Sequence, residues 1–195
     1  MPKGWDHDPP PQRKWTPLGI LIIATGALTL FFASKETSDV WVDGLTQWWL
    51  QVGASCGPIK RLVIYLDNGP QNSGRRRQFL KRMIDFADWS GLEIHLVYYP
   101  PYHSKYNPIE RCWSALEQKW GAALLTCLEV ILYWASRMQW NGRSPTVHRL
   151  DGYFPDKVKI SDKEWKPFAA RLERSPTLPK HDIIIRPKPR ERQVN

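Results

Sequence analysis

Cysteine is scarce in these 195 residues, and no stretch stays apolar for long. The three cysteines, Cys56, Cys112 and Cys127, form no CxxC pair and have no histidine at ligand spacing, which argues against a zinc site or a disulfide framework. They suit a reducing compartment and are expected to pack as small apolar residues. The opening MPKGWDHDPPPQRKW places no apolar segment behind its charges, so it does not read as a signal peptide. The longest apolar candidate, Leu18 to Ala33 (LGILIIATGALTLFFA), falls short of the ~18 residues a membrane-spanning helix needs, and Thr25-Gly26 interrupts it. No membrane partner is expected. Carboxylates are also outnumbered: 19 Asp and Glu against 28 Lys and Arg leave a net charge of +9. That balance favours an anionic partner, nucleic acid ahead of an acidic membrane surface.

What is present fits a globular protein of one domain with a tail. Residues 1–17 are proline-rich and read as irregular. Leu18 to Ala33 suits two strands, 18–24 and 27–33, joined by a tight turn. Ser38 is a candidate N-cap, with Asp39 in the first turn of a helix on which Trp41, Leu45, Trp48, Trp49 and Val52 share a face. That stripe gives a packing role to three of the eleven tryptophans. Arg61 to Leu66 (RLVIYL) suits a buried strand ending at Asp67-Asn68-Gly69-Pro70. A helix is expected from about Ser73 to Gly91, with Arg75, Arg76 and Arg77 near its start. The strand Glu93 to Tyr99 follows, closed by Pro100-Pro101. Then come a helix burying Ile109, Cys112, Trp113, Leu116 and Trp120, and another opened by Thr126 and Glu129 at capping-box spacing. Residues 151–174 read as an extension with a short helix, and 175–195 as a basic, proline-rich, extended tail. Two adjacent strands followed by alternating helices and strands predict a mixed α/β sheet covered by helices.

Two acids have the placement that phosphodiester chemistry needs. Cutting a phosphodiester takes an activated water and neutralisation of charge on phosphorus oxygens. Two divalent ions ~4 Å apart supply both and need hard oxygen ligands from separate elements. Asp67 closes a strand, where a sheet would hold it rigidly, and Glu110 opens a helix after the next strand. Each has a structural explanation as well. Asp67-Asn68-Gly69 has the composition of a turn, and Glu110 stands three residues after Asn107 with Pro108 between, the spacing of a capping box.

The surrounding segments add a resemblance. LDNGPQN after one strand and YYPPYHSKYNPIERCW after the next resemble the DDE transposases of the mariner superfamily. In that superfamily the second Asp lies in a D-N-x-P segment and the Glu in P-P-Y-S-x-x-x-N-P-I-E. From about Thr16 to Trp140 the chain is more similar to the Rhodopirellula-type DDE transposases of bacterial insertion sequences. The matching pieces are TPLGIL, SKETSD, QWW, KRLVIYLDNGPQNSGRR, FADWSGLEI, VYYPPYHSKYNPIERCW and ALEQKW. The spacing of 43 positions between Asp67 and Glu110 is longer than in typical mariner elements and agrees with this subgroup.

The resemblance implies a ribonuclease H-like sheet over 18–150 and metal-dependent cleavage and strand transfer at transposon ends. Asp67 and Glu110 would be its catalytic ligands for two Mg²⁺ (or Mn²⁺) ions. Asn68 and Asn107 would orient those carboxylates, although Asn107 also suits a helix cap. Arg75, Arg76, Arg77 and Lys105 would hold DNA phosphate, a solvated basic face being the plain alternative for the three arginines. His103 is a general-base candidate, although a loop histidine reads more readily as polar surface. DNA, as transposon end and target, is the implied partner, in a bacterial cytoplasm at the nucleoid, with self-association left open.

The chain departs from that pattern where a first Asp should stand on a preceding strand. Asp6 and Asp8 lie in a proline-rich segment, while Asp39 and Asp43 fall on the Trp-rich helix. No helix-turn-helix precedes the core. The expectation is a chain truncated at its amino end, with the first strand missing and activity in doubt. Two further readings remain open: a non-catalytic DNA-binding or interaction remnant, and another ribonuclease H-like nuclease using the same two acids.

Overall fold

The computed structural model describes residues 14–100, 103, 106–121, 125 and 127–189. The chain forms β1 (Thr16–Ile22), β2 (Ala27–Ala33), α1 (Ser38–Val52), a 3₁₀ turn (Gly53–Cys56), β3 (Arg61–Leu66), α2 (Arg77–Ser90) and β4 (Glu93–Tyr98). There follow α3 (Pro108–Trp120), α4 (Leu128–Ser136), β5 (Thr146–Arg149), α5 (Asp162–Ala169), β6 (Leu172–Arg174) and β7 (Asp182–Ile185).

The first apolar stretch makes a hairpin, not a membrane span. β1 and β2 pair antiparallel from Thr16↔Ala33 to Ile22↔Ala27. Gly26 takes φ +70°, a left-handed conformation that glycine reaches at little cost, and its N–H donates to Ile22 O at 2.8 Å. No helix among the described residues is long and apolar enough to cross a membrane.

The strands do not join into the single sheet expected. One sheet has the order β1-β2-β5, with β5 parallel to β2; the other has the order β3-β4-β7-β6, with β3 and β4 parallel. β1 and β3 are each an edge strand of their own sheet, as are β5 and β6. Consequently RLVIYL is not a buried strand. Its residues alternate in exposure, with Val63 and Tyr65 41% and 45% exposed, because successive side chains point to opposite faces of the sheet and one face is left open. The arrangement is mixed α/β and ribonuclease H-like, a hairpin followed by parallel strands alternating with helices.

Helices fill the layers as their apolar spacing predicts. α1 buries Val40, Val42, Leu45 and Trp48 in one core with Phe79, Leu80, Met83 and Ile84 of α2, while Trp41, Trp49 and Val52 pack partly buried against it. α3 and α4 bury Cys112, Leu116, Leu128 and Ala135 with Leu30 and Phe32 of β2 in a second core. The cap of α1 is Thr37, one residue earlier than Ser38, and its Oγ1 accepts from Val40 N at 3.3 Å. Thr126 lies outside the described residues; the N-cap of α4 is Cys127. Of the cysteines only Cys112 is buried, and burial pushes its thiol up to about 11; Cys56 and Cys127 are exposed.

Two other expectations are corrected. α2 starts at Arg77, four residues after Ser73, because the intervening chain is held in a compact loop. Gly91, with φ +74°, ends it as expected. The tail contains β7, which pairs antiparallel with β4 and buries Ile183 and Ile185 completely. Its β-branched run DIII outweighs the flanking prolines and charges.

Candidate active site

The parallel pair β3 and β4 determines where the two acids fall. Asp67 follows the last residue of β3, and the loop behind it folds back on the carboxylate. Gly69 N and Asn72 Nδ2 both donate to Asp67 Oδ1, at 3.2 and 2.9 Å. Asn68 adopts φ +63°, which Asn tolerates better than most residues, and its Oδ1 accepts from Gly74 N at 3.3 Å. Asn68 thus shapes the loop, while Asn72 holds the carboxylate. Tyr98, at the end of β4, donates its hydroxyl to Asn72 O at 3.0 Å. Gly74 is required by close packing: a Cβ there would meet Lys180 O at 3.0 Å and Ile183 Cδ1 at 3.1 Å.

Glu110 is carried by α3. The cap of that helix is made by Asn107, whose Oδ1 accepts from Ile109 N at 3.4 Å, with Pro108 at the first helical position. Asn107 is buried and lines the same cleft as Asp67 and Glu110. The two acids feel each other. Burial raises the Glu110 carboxyl above the usual carboxylate range, and the Asp67 charge raises it further.

Asp67 and Glu110 stand at a cleft of about 680 Å³ between the free edges of β1 and β3. Apolar side chains of α1, α2 and α3 line it, Trp41, Trp48, Met83, Ile109 and Trp113 among them. Glu36 and Glu117 line it as well. Sequence reasoning passed over Glu36 and Asn72. For Glu117 a signal existed: it lies seven residues after Glu110, two turns along one helix face.

The donor set suits a hard divalent cation only in part. Asp67 and Glu110 offer carboxylate oxygens, and Asn72 Oδ1 is buried with no hydrogen-bond partner. Among the described residues, however, no group of three or more His, Cys, Asp or Glu is placed to hold a metal ion.

The basic candidates separate. Arg77 donates to Ile160 O at 2.9 Å, pairs with Asp162 and lies over the Trp165 ring, so it docks α5. Arg76 is half-buried as the residue before α2, with its Nε buried, whereas Arg75 is exposed. Lys105 lies outside the described residues, as do Asp6 and Asp8. His103 stacks on Tyr106, ring centroids 5.8 Å apart. Asp39 and Asp43 are engaged elsewhere: Gln78 donates to Asp39 at 2.9 Å, and Arg82 pairs with Asp43.

A ribonuclease H-like arrangement with an acid closing a strand and another opening a later helix is the framework of DDE-type DNA recombination enzymes. The chain belongs to the family described as the Rhodopirellula transposase DDE domain, which it matches over residues 3–187. That family is one of DNA transposition, with DNA as the partner and divalent metals in its domains. No curated protein and no solved structure matches the chain.

Proposed function

We propose that this chain is the part of a transposase catalytic domain that supplies Asp67 and Glu110 for phosphodiester cleavage and strand transfer at transposon ends. The observation that carries the reading is that these two acids, 43 positions apart in the chain, line one cleft. Asp67, steadied by Asn72 and Gly69 N, and Glu110, fixed by the capped start of α3, would hold Mg²⁺ or Mn²⁺ between them. A bound divalent ion supplies polarisation of the phosphate and a water of lowered pKa. The raised Glu110 carboxyl must lose its proton for ligation, so metal loading weakens in acid.

The missing three-acid group among the described residues favours a second reading, in which the chain binds DNA without cutting it. Incubation of the chain with transposon-end duplex and Mg²⁺ or Mn²⁺ separates the readings. Joined strand-transfer product that disappears in Asp67→Asn and Glu110→Gln supports the transposase. Cut ends without joining indicate a nuclease of the same fold. Salt-sensitive binding that survives both substitutions, with no cleavage under any metal condition, indicates the non-catalytic reading.

A further inference from the structure

The sheet β3-β4-β7-β6 has one packed face and one open face. Leu66, Ile94, Leu96 and Ile183 point into the core that α2 shares. Alternation sends the intervening side chains the other way. On that second face the register sets Val63 beside His95 and Tyr65 beside Val97, with Ile184 and Asp182 of β7 next to these. The acids of this face are already paired: Asp182 with His95 at 2.9 Å, Glu93 with Arg61 and Arg186, and Glu173 with Arg186. What is left on the β3 and β4 half is an uncharged patch of Val63, Tyr65, Val97 and Tyr99.

The two tyrosines of this patch stand next to the acid. Tyr65 lies two positions before Asp67, ~7 Å along an extended chain and on the same side of it. Tyr99 follows Tyr98, the partner of Leu66, and its N–H donates to Leu66 O at 2.9 Å. The rings meet with centroids 6.1 Å apart and planes inclined by 40°. That is too close to admit a third ring between them, which needs ~7 Å. Tyr65 is exposed and offers a ring face to solvent, while half-buried Tyr99 backs it. Burial, and then Tyr65, raises the Tyr99 hydroxyl above its ordinary value, so that ring stays uncharged beside an anion.

Resting on the function proposed above, we propose that Tyr65, backed by Tyr99, is a stacking platform for an unpaired nucleobase of a DNA strand whose phosphate lies at Asp67. A nucleobase is flat, uncharged and apolar on its faces, which suits an exposed ring hemmed by ion pairs. The ~7 Å from Asp67 to Tyr65 is within the reach of one nucleotide from its phosphate to its base. A protein helix would need a wider apolar surface, and here charged pairs interrupt the face beyond two strands. Inside a duplex both faces of a base are covered by its neighbours, so the platform takes a base only where the strands are frayed or single. The excess of 28 Lys and Arg over 19 Asp and Glu attracts the phosphates of any strand and does not select the base. Selection for an unpaired base belongs to the ring.

The probe is a single DNA strand, abasic except for one 2-aminopurine, titrated into the full chain in EDTA so that no metal enters the reading. Stacking on an aromatic ring quenches the emission of that base. The expected result is quenching on binding, with the probe held about tenfold more tightly than a fully abasic strand. Tyr65→Leu keeps apolar bulk and removes the flat ring. It is expected to bind the probe about tenfold more weakly and leave the base bright, while binding the fully abasic strand as the unaltered chain does. Tyr65→Phe keeps the ring and is expected to restore both affinity and quenching. Equal affinity of Tyr65→Leu and the unaltered chain for the probe overturns the proposal, as does equal binding of the probe and the fully abasic strand. Loss of quenching in Tyr65→Phe overturns it too, by assigning the effect to the hydroxyl. A dimer in sedimentation that Tyr65→Leu breaks makes a second copy the occupant and likewise overturns it. Cleavage dependent on Asp67 and Glu110 without quenching removes the platform alone. Quenching without cleavage removes the transposase reading alone, so the two fail separately.

Discussion

The Asp67 charge raises the Glu110 carboxyl, on top of the larger effect of burial, although the two residues stand 43 positions apart. The folded value thus lies above the unfolded one. Between the two the folded chain holds the extra proton, so the contribution of Glu110 to stability falls as pH rises through that window. A carboxyl-carbon NMR titration is expected to give Glu110 a midpoint above the ordinary carboxylate range. In Asp67→Asn the midpoint should fall only partway, since burial remains. A return to the full unperturbed value would show that charge, not burial, dominates.

The three arginines expected to bind DNA should behave differently. Arg77 is committed to Ile160, Asp162 and Trp165, so Arg77→Ala is expected to loosen α5 and lower stability. Arg75 is exposed and available to phosphate. Arg75→Ala should leave the melting temperature unchanged, weaken duplex binding and lower the salt slope of binding by about one. Fluorescence anisotropy at several salt concentrations measures this. An unchanged slope would return Arg75 to the solvated surface.

The Trp-rich face of α1 and the apolar stripe of α3 were legible from a period of 3.6, and the hairpin from a short β-branched and aromatic run broken at Thr25-Gly26. The acids were legible as a pair only through their neighbouring segments; alone, a turn at Asp67 and a cap before Glu110 were the better descriptions. The cap proved real and compatible with the site, since Asn107 makes it while Glu110 lines the cleft. Asn72 was not legible, because its role depends on a loop that folds back five residues to the carboxylate. Nor could periodicity show that RLVIYL is an edge, since pairing partners are a tertiary property.

Ile185 lies in the segment whose charges and prolines suggested a mobile tail, yet it is fully buried and paired opposite Ile94 of β4. Ile185→Ala is expected to cost about 2–5 kcal/mol, the usual range for emptying a packed isoleucine site. Denaturant melts followed by tryptophan fluorescence provide the measurement. A loss under roughly 0.5 kcal/mol, ordinary for surface changes, would mean that β7 is dispensable.

Arg171 fixes that tail to α2 through a two-pronged pair with Asp88, both contacts at 2.6 Å, and also donates to Arg186 O at 2.7 Å. Lys188 N donates to the same carboxylate at 2.8 Å. These bonds, the one from Arg171 first, hold the Asp88 carboxyl below its usual value. Its folded value is therefore depressed, and the stability it contributes is present above the unfolded value and lost as pH falls through the folded one. Arg171→Met keeps much of the aliphatic length and removes the paired donors. At neutral pH it is expected to cost about 1–3 kcal/mol, a range suited to charge-assisted bonds at a partly buried site. Below the folded value of Asp88 the carboxyl is protonated in both proteins, so the difference between them should shrink. Parallel melts from pH 7 down to the acid range test this. A penalty that stays constant with pH would assign the effect to packing of the arginine stem instead of to the ion pair.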